Sequence, residues 1–345
     1  MGEFASAEIP GLDLAAFRGW YDTQRPGEVV GDLSARLIAG GKSNLTYEVT
    51  DGTSWWILRR PPLGHVQATA HDMGREFTAM SALADTAVPV PAMFAHCADP
   101  EVLGAPFYVM ERIEGIAIRS AAELEARGAT RTAAISQRLI EVLAALHAVD
   151  PVAVGLGEFG RPQGFLERQV RRWGQQLEGS KTQERPGAEE LHRALTASIP
   201  PEDPSVLGIV HGDYRLDNCL VDSSDQIRAV VDWEMATLGD TRTDLALMLV
   251  YDQLSESAGG DIVSDVAKAA GYPSRRDQLA AYGVASGREP GDMGWHMGLA
   301  YFKLAVILEG IHYRYLKGQT VGAGFDRIGE GFDLIVAAGL AELEG

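Results

Sequence analysis

Cysteine is almost missing from this chain: its 345 residues contain two, Cys97 and Cys219, with no metal-ligand or redox spacing between them. A disulfide scaffold is excluded, and both thiols are expected free and packed in a reducing compartment. Long apolar runs are missing too; none approaches the roughly 18 residues that a membrane-crossing helix requires. Basic charge is in deficit, with 30 Lys and Arg against 48 Asp and Glu and a formal net charge of −18. A field of that sign repels phosphate backbones and anionic lipid, so no nucleic acid and no membrane is expected as a partner. The opening MGEFASAEIPGLD is acidic where a secretory leader is cationic, which points to a cytoplasmic protein. Internal repeats and low-complexity tracts are absent as well.

What remains is ordinary globular composition, 46% apolar and 23% charged, at a length that predicts roughly two domains. Residues 33–60 read as three strands, LSARLIAG, NLTYEVT and SWWILRR, separated by Gly-Gly and Asp51-Gly52 turn signals, hence an antiparallel meander. Of the neighbours Trp55 and Trp56, one is expected to pack inward. Helical spacing of Phe77, Met80 and Leu83 predicts a helix between Thr69 and Leu83, closed off by Pro89 and Pro91. Runs near 91–97 and 106–113 read as further strands. Beyond Gly115 helices dominate, as in the stripe Ile135, Leu139, Val142, Leu143 and Leu146, stopped by Asp150-Pro151. The polar stretches 178–190 and 256–262 are expected to be exposed loops.

The chemistry concentrates in HGDYRLDN (211–218) and VVDWEMATLGD (230–240). His211-x-Asp213-x-x-x-x-Asn218 has the spacing of a phosphoryl-transfer catalytic loop, and Asp232 arrives where a second metal-binding acid belongs. Asp213 suits a base that accepts the proton of an attacking hydroxyl. Asn218 and Asp232 offer the hard oxygens that Mg²⁺ prefers. Gly41-Lys42-Ser43 is the tail of a P-loop whose head is missing, because the required Gly position is Arg36. His211 reads as structural, Asp240 as a helix cap or a partner of the helix dipole, and His296 and His312 as residues that line or pack the helical part.

On these motifs, together with GAPFYVMERIEG (104–115) and ILRRPP (57–62), the chain resembles the aminoglycoside phosphotransferase family nearly end to end. Its run WHMGLAYFKLAVILEGIHYRYLKGQT (295–320) resembles the branch found alone or fused to acyl-CoA dehydrogenases. The resemblance implies an α+β, two-lobed protein-kinase-like fold: an antiparallel-sheet, nucleotide-binding lobe over 1–112 and a helical lobe over 113–345 with the catalytic loop and acceptor site. It implies ATP and Mg²⁺ as cofactors and a small-molecule hydroxyl as acceptor. Arg59 matches the position of the phosphate-binding Lys of kinases, with Glu76 as its helix partner. The exchange is not neutral in reach, and Arg60 is an alternative. Ser43 and Asn44 would lie near the phosphates, and the Glu111 carbonyl and Ile113 amide at the adenine, with Met110 behind it. Arg215 would stabilise charge developing in transfer, and Asp244 would brace the catalytic loop. The implied acceptor is a hydroxy acid or its coenzyme A thioester, for which Arg168, Arg171, Arg172 and Arg314 are candidate anion ligands. An aminoglycoside-type antibiotic kinase and a nucleotide-binding pseudokinase regulator are the alternatives.

Overall fold

The computed structural model describes residues 9–38, 44–63, 72–257, 264–318 and 328–344. They group into two compact units, one of residues 1–115 with 228–235, the other of 116–227 with 236–345. The segment 228–235 leaves the second unit to join the first, where the sequence reading had placed all of 113–345 in one lobe.

The first unit runs α1 (Leu14–Gln24), β1 (Ser34–Leu37), β2 (Leu45–Thr50), β3 (Trp55–Arg60), α2 (Met73–Leu83), β4 (Met93–Cys97), α3 (Pro100–Leu103) and β5 (Phe107–Glu111). Its antiparallel sheet has the order β1-β2-β3-β5-β4. The expected meander is present, and the Asp51-Gly52 signal does what its chemistry suggests: the Asp51 carboxylate accepts from the Thr53 and Ser54 amides, while Gly52 takes φ +89°. Trp56 is buried and Trp55 exposed, as period-2 alternation requires. The sequence reading did not find α1. Asp13 caps it through the Ala15 and Ala16 amides, and its Phe17 and Tyr21 join Tyr47, Trp56 and Phe107 in one aromatic-rich core.

The second unit contains α4 (Ala121–Glu125), α5 (Ala129–Ala148), α6 (Phe165–Ser180), α7 (Pro186–Ala197), β6 (Leu207–Val210) and β7 (Cys219–Val221). After β8 (Ile227–Val230) it continues with β9 (Thr237–Asp240), α8 (Arg242–Ser257), α9 (Arg275–Ser286), α10 (Gly294–Leu316) and α11 (Phe332–Glu344). The buried α10 packs against α6, α8 and α11. Among the described residues no helix is long and apolar enough to cross a membrane. Both cysteines are free and buried.

The expected loop at 178–190 is mostly helix ends: α6 continues to Ser180 and α7 starts at Pro186. The short link is tied down where buried Glu309 accepts from the Thr182 amide and hydroxyl and pairs with Arg185. Those partners satisfy polar groups that composition alone assigns to solvent. In the second polar stretch α8 extends to Ser257, and residues 258–263 lie outside the described part.

Asp240 is the cap that the sequence suggested. Its carboxylate accepts from the Arg242 amide and pairs with the Arg242 guanidinium and with His296 on α10. Burial pushes this carboxyl up, but the hydrogen bonds from His296 and Arg242 outweigh it and hold its pKa at about 2. A depressed carboxylate adds stability above its unfolded pKa and loses it as pH falls through the folded value. We therefore expect Asp240→Asn to cost about 2 kcal/mol at pH 7, with the gap to wild type closing between about pH 4 and 2. Urea unfolding at stepped pH measures it; a gap independent of pH would refute the assignment.

Candidate active site

In the second unit the segment after β6 is held by one carboxylate. Asp244, fully buried in the first turn of α8, accepts from the His211 amide at 2.6 Å and the Gly212 amide at 2.7 Å. Gly212 sits at φ +85°, a conformation an L side chain resists. Burial works to raise the Asp244 pKa, but the hydrogen bond and charge of His147 keep it low. His211 is buried and its Nδ1 accepts from the Asp213 amide, the structural role expected of it. Tyr214 anchors the segment to α5 by donating to the Leu139 carbonyl at 2.7 Å.

Asp213 is thereby presented with both carboxylate oxygens engaged. The Tyr251 hydroxyl donates to Oδ1 at 2.9 Å, and Asn218 Nδ2 donates to Oδ2 at 3.0 Å and to the Asp213 carbonyl at 2.8 Å. Arg215 Nε lies 3.5 Å from Asp213 and 3.1 Å from Asp217, and its guanidinium stacks on the Tyr251 ring at 4.8 Å. Burial raises the Asp217 pKa while Arg215 lowers it. Lys303 of α10 donates to the Gly212 carbonyl. Asp213, Arg215 and Asn218 are thus one constellation.

A second constellation forms in the first unit. β3 and β5 set Arg59 opposite Tyr108, so both side chains emerge on one face, towards α2. Arg59 Nη2 bonds Asp232 Oδ1, and Arg59 Nε lies 3.8 Å from Glu76 Oε2. The Tyr108 hydroxyl donates to Glu76 at 3.1 Å. Asn44 Nδ2 lies 3.4 Å from both Glu76 and Glu234, while its buried Oδ1 has no partner among the described residues. Burial pushes Glu76 up to about 7, against the pull of Arg59. Burial likewise opposes the Arg59 charge, but Tyr108, Glu76 and Asp232 raise its pKa further than burial lowers it. Asp232 holds φ +69°, a left-handed conformation uncommon outside glycine. Carboxylate oxygens of Glu76, Asp232 and Glu234 lie within 4.8 Å of one another, hard donors of the kind Mg²⁺ accepts.

The sheet register also decides between the neighbouring arginines. Arg60 points to the opposite face, where it donates to the carbonyls of Gly11 and Leu103, each at 2.6 Å. Met110 is buried at the end of β5, Glu111 is exposed and Ile113 half-buried just beyond. Ser43 lies outside the described residues.

Sequence reasoning missed Tyr108, Glu234, Tyr251 and Lys303. Signals for them existed. Tyr251 follows Asp244 by seven residues, two turns along the same helix face. Lys303 is a lone cation in an otherwise apolar helical run.

Comparison with known proteins bears on the family and the fold. Residues 34–291 match the phosphotransferase enzyme family, APH. The chain is 31% identical, with a TM-score of 0.83, to the crystal structure of a candidate aminoglycoside phosphotransferase from Ralstonia eutropha, covering 96% of this chain and 98% of that one. It shares its fold with a thermostable mutant of the aminoglycoside phosphotransferase APH(4)-Ia solved with ADP and hygromycin B, at 15% identity and a TM-score of 0.59 over 90% and 94% of the two chains. Over 295 residues it is 34% identical to acyl-CoA dehydrogenase family member 10 of Mus musculus, which accounts for 84% of this chain and 27% of that protein. It therefore spans about a quarter of that relative's length. A buried acid bracing the catalytic-loop motif, and the sheet that precedes it, are thus features of a two-lobed, kinase-like chain that belongs to the APH phosphotransferase family.

Proposed function

We propose that the chain is an ATP- and Mg²⁺-dependent phosphotransferase that moves the γ-phosphoryl group to a hydroxyl of a small molecule, a hydroxy acid or its coenzyme A thioester. The observation that carries this reading is the presentation of Asp213. Tyr251 and Asn218 fix its carboxylate, and while Oδ2 is shared between Asn218 and Arg215, Oδ1 accepts from Tyr251 and keeps a second lone pair to receive a proton. A protein that only bound nucleotide would have no use for a base so positioned. Family membership and the acyl-CoA dehydrogenase relative support the class of reaction and of acceptor.

The donor set fits the metal. Asp232, Glu234 and the unpartnered Asn44 Oδ1 are hard oxygens in the first unit, and Asn218, whose Nδ2 is committed to Asp213, keeps its amide oxygen to offer. Bound there, Mg²⁺ would neutralise phosphate charge. The protein supplies the rest by orientation and electrostatics. Arg59, fixed by Glu76, meets the α- and β-phosphates with a planar fork, exchanging its contact to Asp232 for phosphate oxygens. Asn44, the Glu111 carbonyl, the Ile113 amide and Met110 hold the nucleotide, Ser43 being assigned to the phosphates by sequence alone. Asp213 orients the acceptor hydroxyl and takes its proton as the new bond from the acceptor oxygen to the γ-phosphorus forms and the bond to the β,γ-bridging oxygen breaks, with ADP leaving. Arg215 faces the charge that develops on the transferring group.

Asp213→Asn is expected to lower acceptor-dependent ADP release by about 10² to 10⁴ with unfolding unchanged. Equal turnover in a folded variant would reject Asp213 as base. Arg59→Met should raise KM for ATP by about tenfold or more, the worth of a charged hydrogen bond. A KM within twofold of wild type would remove Arg59 from the nucleotide site.

A further inference from the structure

We infer that Lys303 and Arg172 form an oxyanion-recognition site for the acceptor, one that selects hydroxyl substrates bearing a carboxylate or phosphate group. The inference rests on the phosphotransferase reading and assigns the substrate class of the same site.

Two cations share one indole. Lys303 Nζ lies 5.6 Å from the centroid of the Trp173 ring, and Arg172 Cζ lies 5.5 Å from it. Among the described residues neither has a carboxylate at ion-pair distance. Several arginines of this unit are matched to acids, among them Arg127 and Arg131 to Asp225, Arg185 to Glu309 and Arg242 to Asp240, whereas Arg172 and Lys303 are held instead over an aromatic face. In a chain with 48 acidic residues against 30 basic ones, two cations gathered on one indole, with no carboxylate in direct ion-pair contact among the described residues, leave donors that a ligand's negative charge can engage. Lys303 is half-buried and Arg172 exposed, so the pair runs from beside the packed Trp173 to solvent, where a ligand can reach it.

The position relative to the reacting group adds the second half. Lys303 gives one N–H to the carbonyl of Gly212, the residue before Asp213, and an ammonium has three to give. The Asp213 carboxylate acts on the Lys303 charge, so the ammonium lies in the electrostatic neighbourhood of the group assigned to the acceptor hydroxyl. Burial works against the Lys303 charge, Asp213 and Asp244 support it, and Arg172 opposes it. An arriving oxyanion would join both cations and relieve their mutual repulsion, whereas a polycationic aminoglycoside would add to it.

The test is calorimetric binding to the full chain, without ATP, of short 2-, 3- and 4-hydroxy acids, their methyl esters and their coenzyme A thioesters. Wild type, Lys303→Met, Lys303→Arg and Arg172→Gln are compared. We expect at least one anionic probe to bind at least tenfold tighter than its neutral ester. Lys303→Met should remove that advantage, Lys303→Arg should restore most of it, and ester binding should not move. Preference for the free acids identifies the carboxylate as the recognised group, and preference for the thioesters identifies the coenzyme's phosphates; either supports the site. Equal binding of anion and ester by wild type, no binding of any anion, or equal loss of both ligands in Lys303→Met overturns it. If Lys303→Met does not fold, Arg172→Gln at its exposed position carries the test, with about a threefold loss expected for the anion alone and no loss overturning the site. Turnover is scored separately: ADP release with aminoglycosides or neutral sugars but no anion leaves the phosphotransferase reading standing without this site. No ADP release with any acceptor strikes that reading and leaves the binding result intact.

Discussion

The chemistry of the second unit depends on one buried carboxylate making two backbone hydrogen bonds. Asp244 spends its oxygens on the His211 and Gly212 amides. Without it two buried donors would be orphaned, each at a cost of about 1–3 kcal/mol. Because Gly212 is pinned in a left-handed turn, Asp213 leaves the chain in a direction set by α8. The same helix then returns two turns later with Tyr251 to fix the carboxylate it has aimed. The brace of the loop and the hydroxyl that orients Asp213 therefore ride on one helix, and neither is adjusted independently of the other.

In the first unit the governing fact is that Glu76 is fully buried. A carboxylate there is tolerated because Arg59, Tyr108 and Asn44 surround it. Arg59 in turn is shared with Asp232, whose left-handed backbone is the kind of strain that persists where the surroundings over-determine it. Removal of one partner from such a set leaves uncompensated charge in a dry place, which costs more than the pair itself contributes. The arginine at this position, unlike a lysine, serves two acids at once through a planar fork.

Much of this was legible in the sequence because it is local. Strand-prone runs bounded by turn signals gave β2 and β3, Asp51-Gly52 gave their turn, and the fixed spacing from His211 to Asn218 gave the loop. Asp244 and Asp240 were readable from their place at the start of an apolar helix. What was not legible depends on partners distant along the chain. Which of Arg59 and Arg60 meets Glu76 is decided by the register of β3 on β5. The 178–190 stretch looks solvated until Glu309 is seen to hold Thr182 and Arg185. Tyr251 and Lys303 pass for core residues because each follows or sits within an apolar run, Leu245–Val250 in α8 and Leu299–Leu308 in α10, and only the neighbouring loop gives them work. The helix α1 escaped because Leu14, Phe17 and Tyr21 make too short a stripe to stand out from the Pro-Gly segment before it.

The segment 228–235 supplies the first unit with Asp232, Trp233 and Glu234 after the chain has already traversed 116–227 in the second. It is seated by the Val230 amide on the Pro89 carbonyl at 2.8 Å and by the fully buried Trp233. During translation at roughly 5–20 residues per second, Arg59 and Glu76 therefore leave the ribosome on the order of ten seconds before the acid that completes their set. The nascent first unit must wait, partly assembled, for residues that belong to it in space though not in sequence order. A gene cut at the apparent boundary after Gly115 would encode the sheet without Asp232 and Glu234, so the first unit is not one continuous stretch of the genetic message.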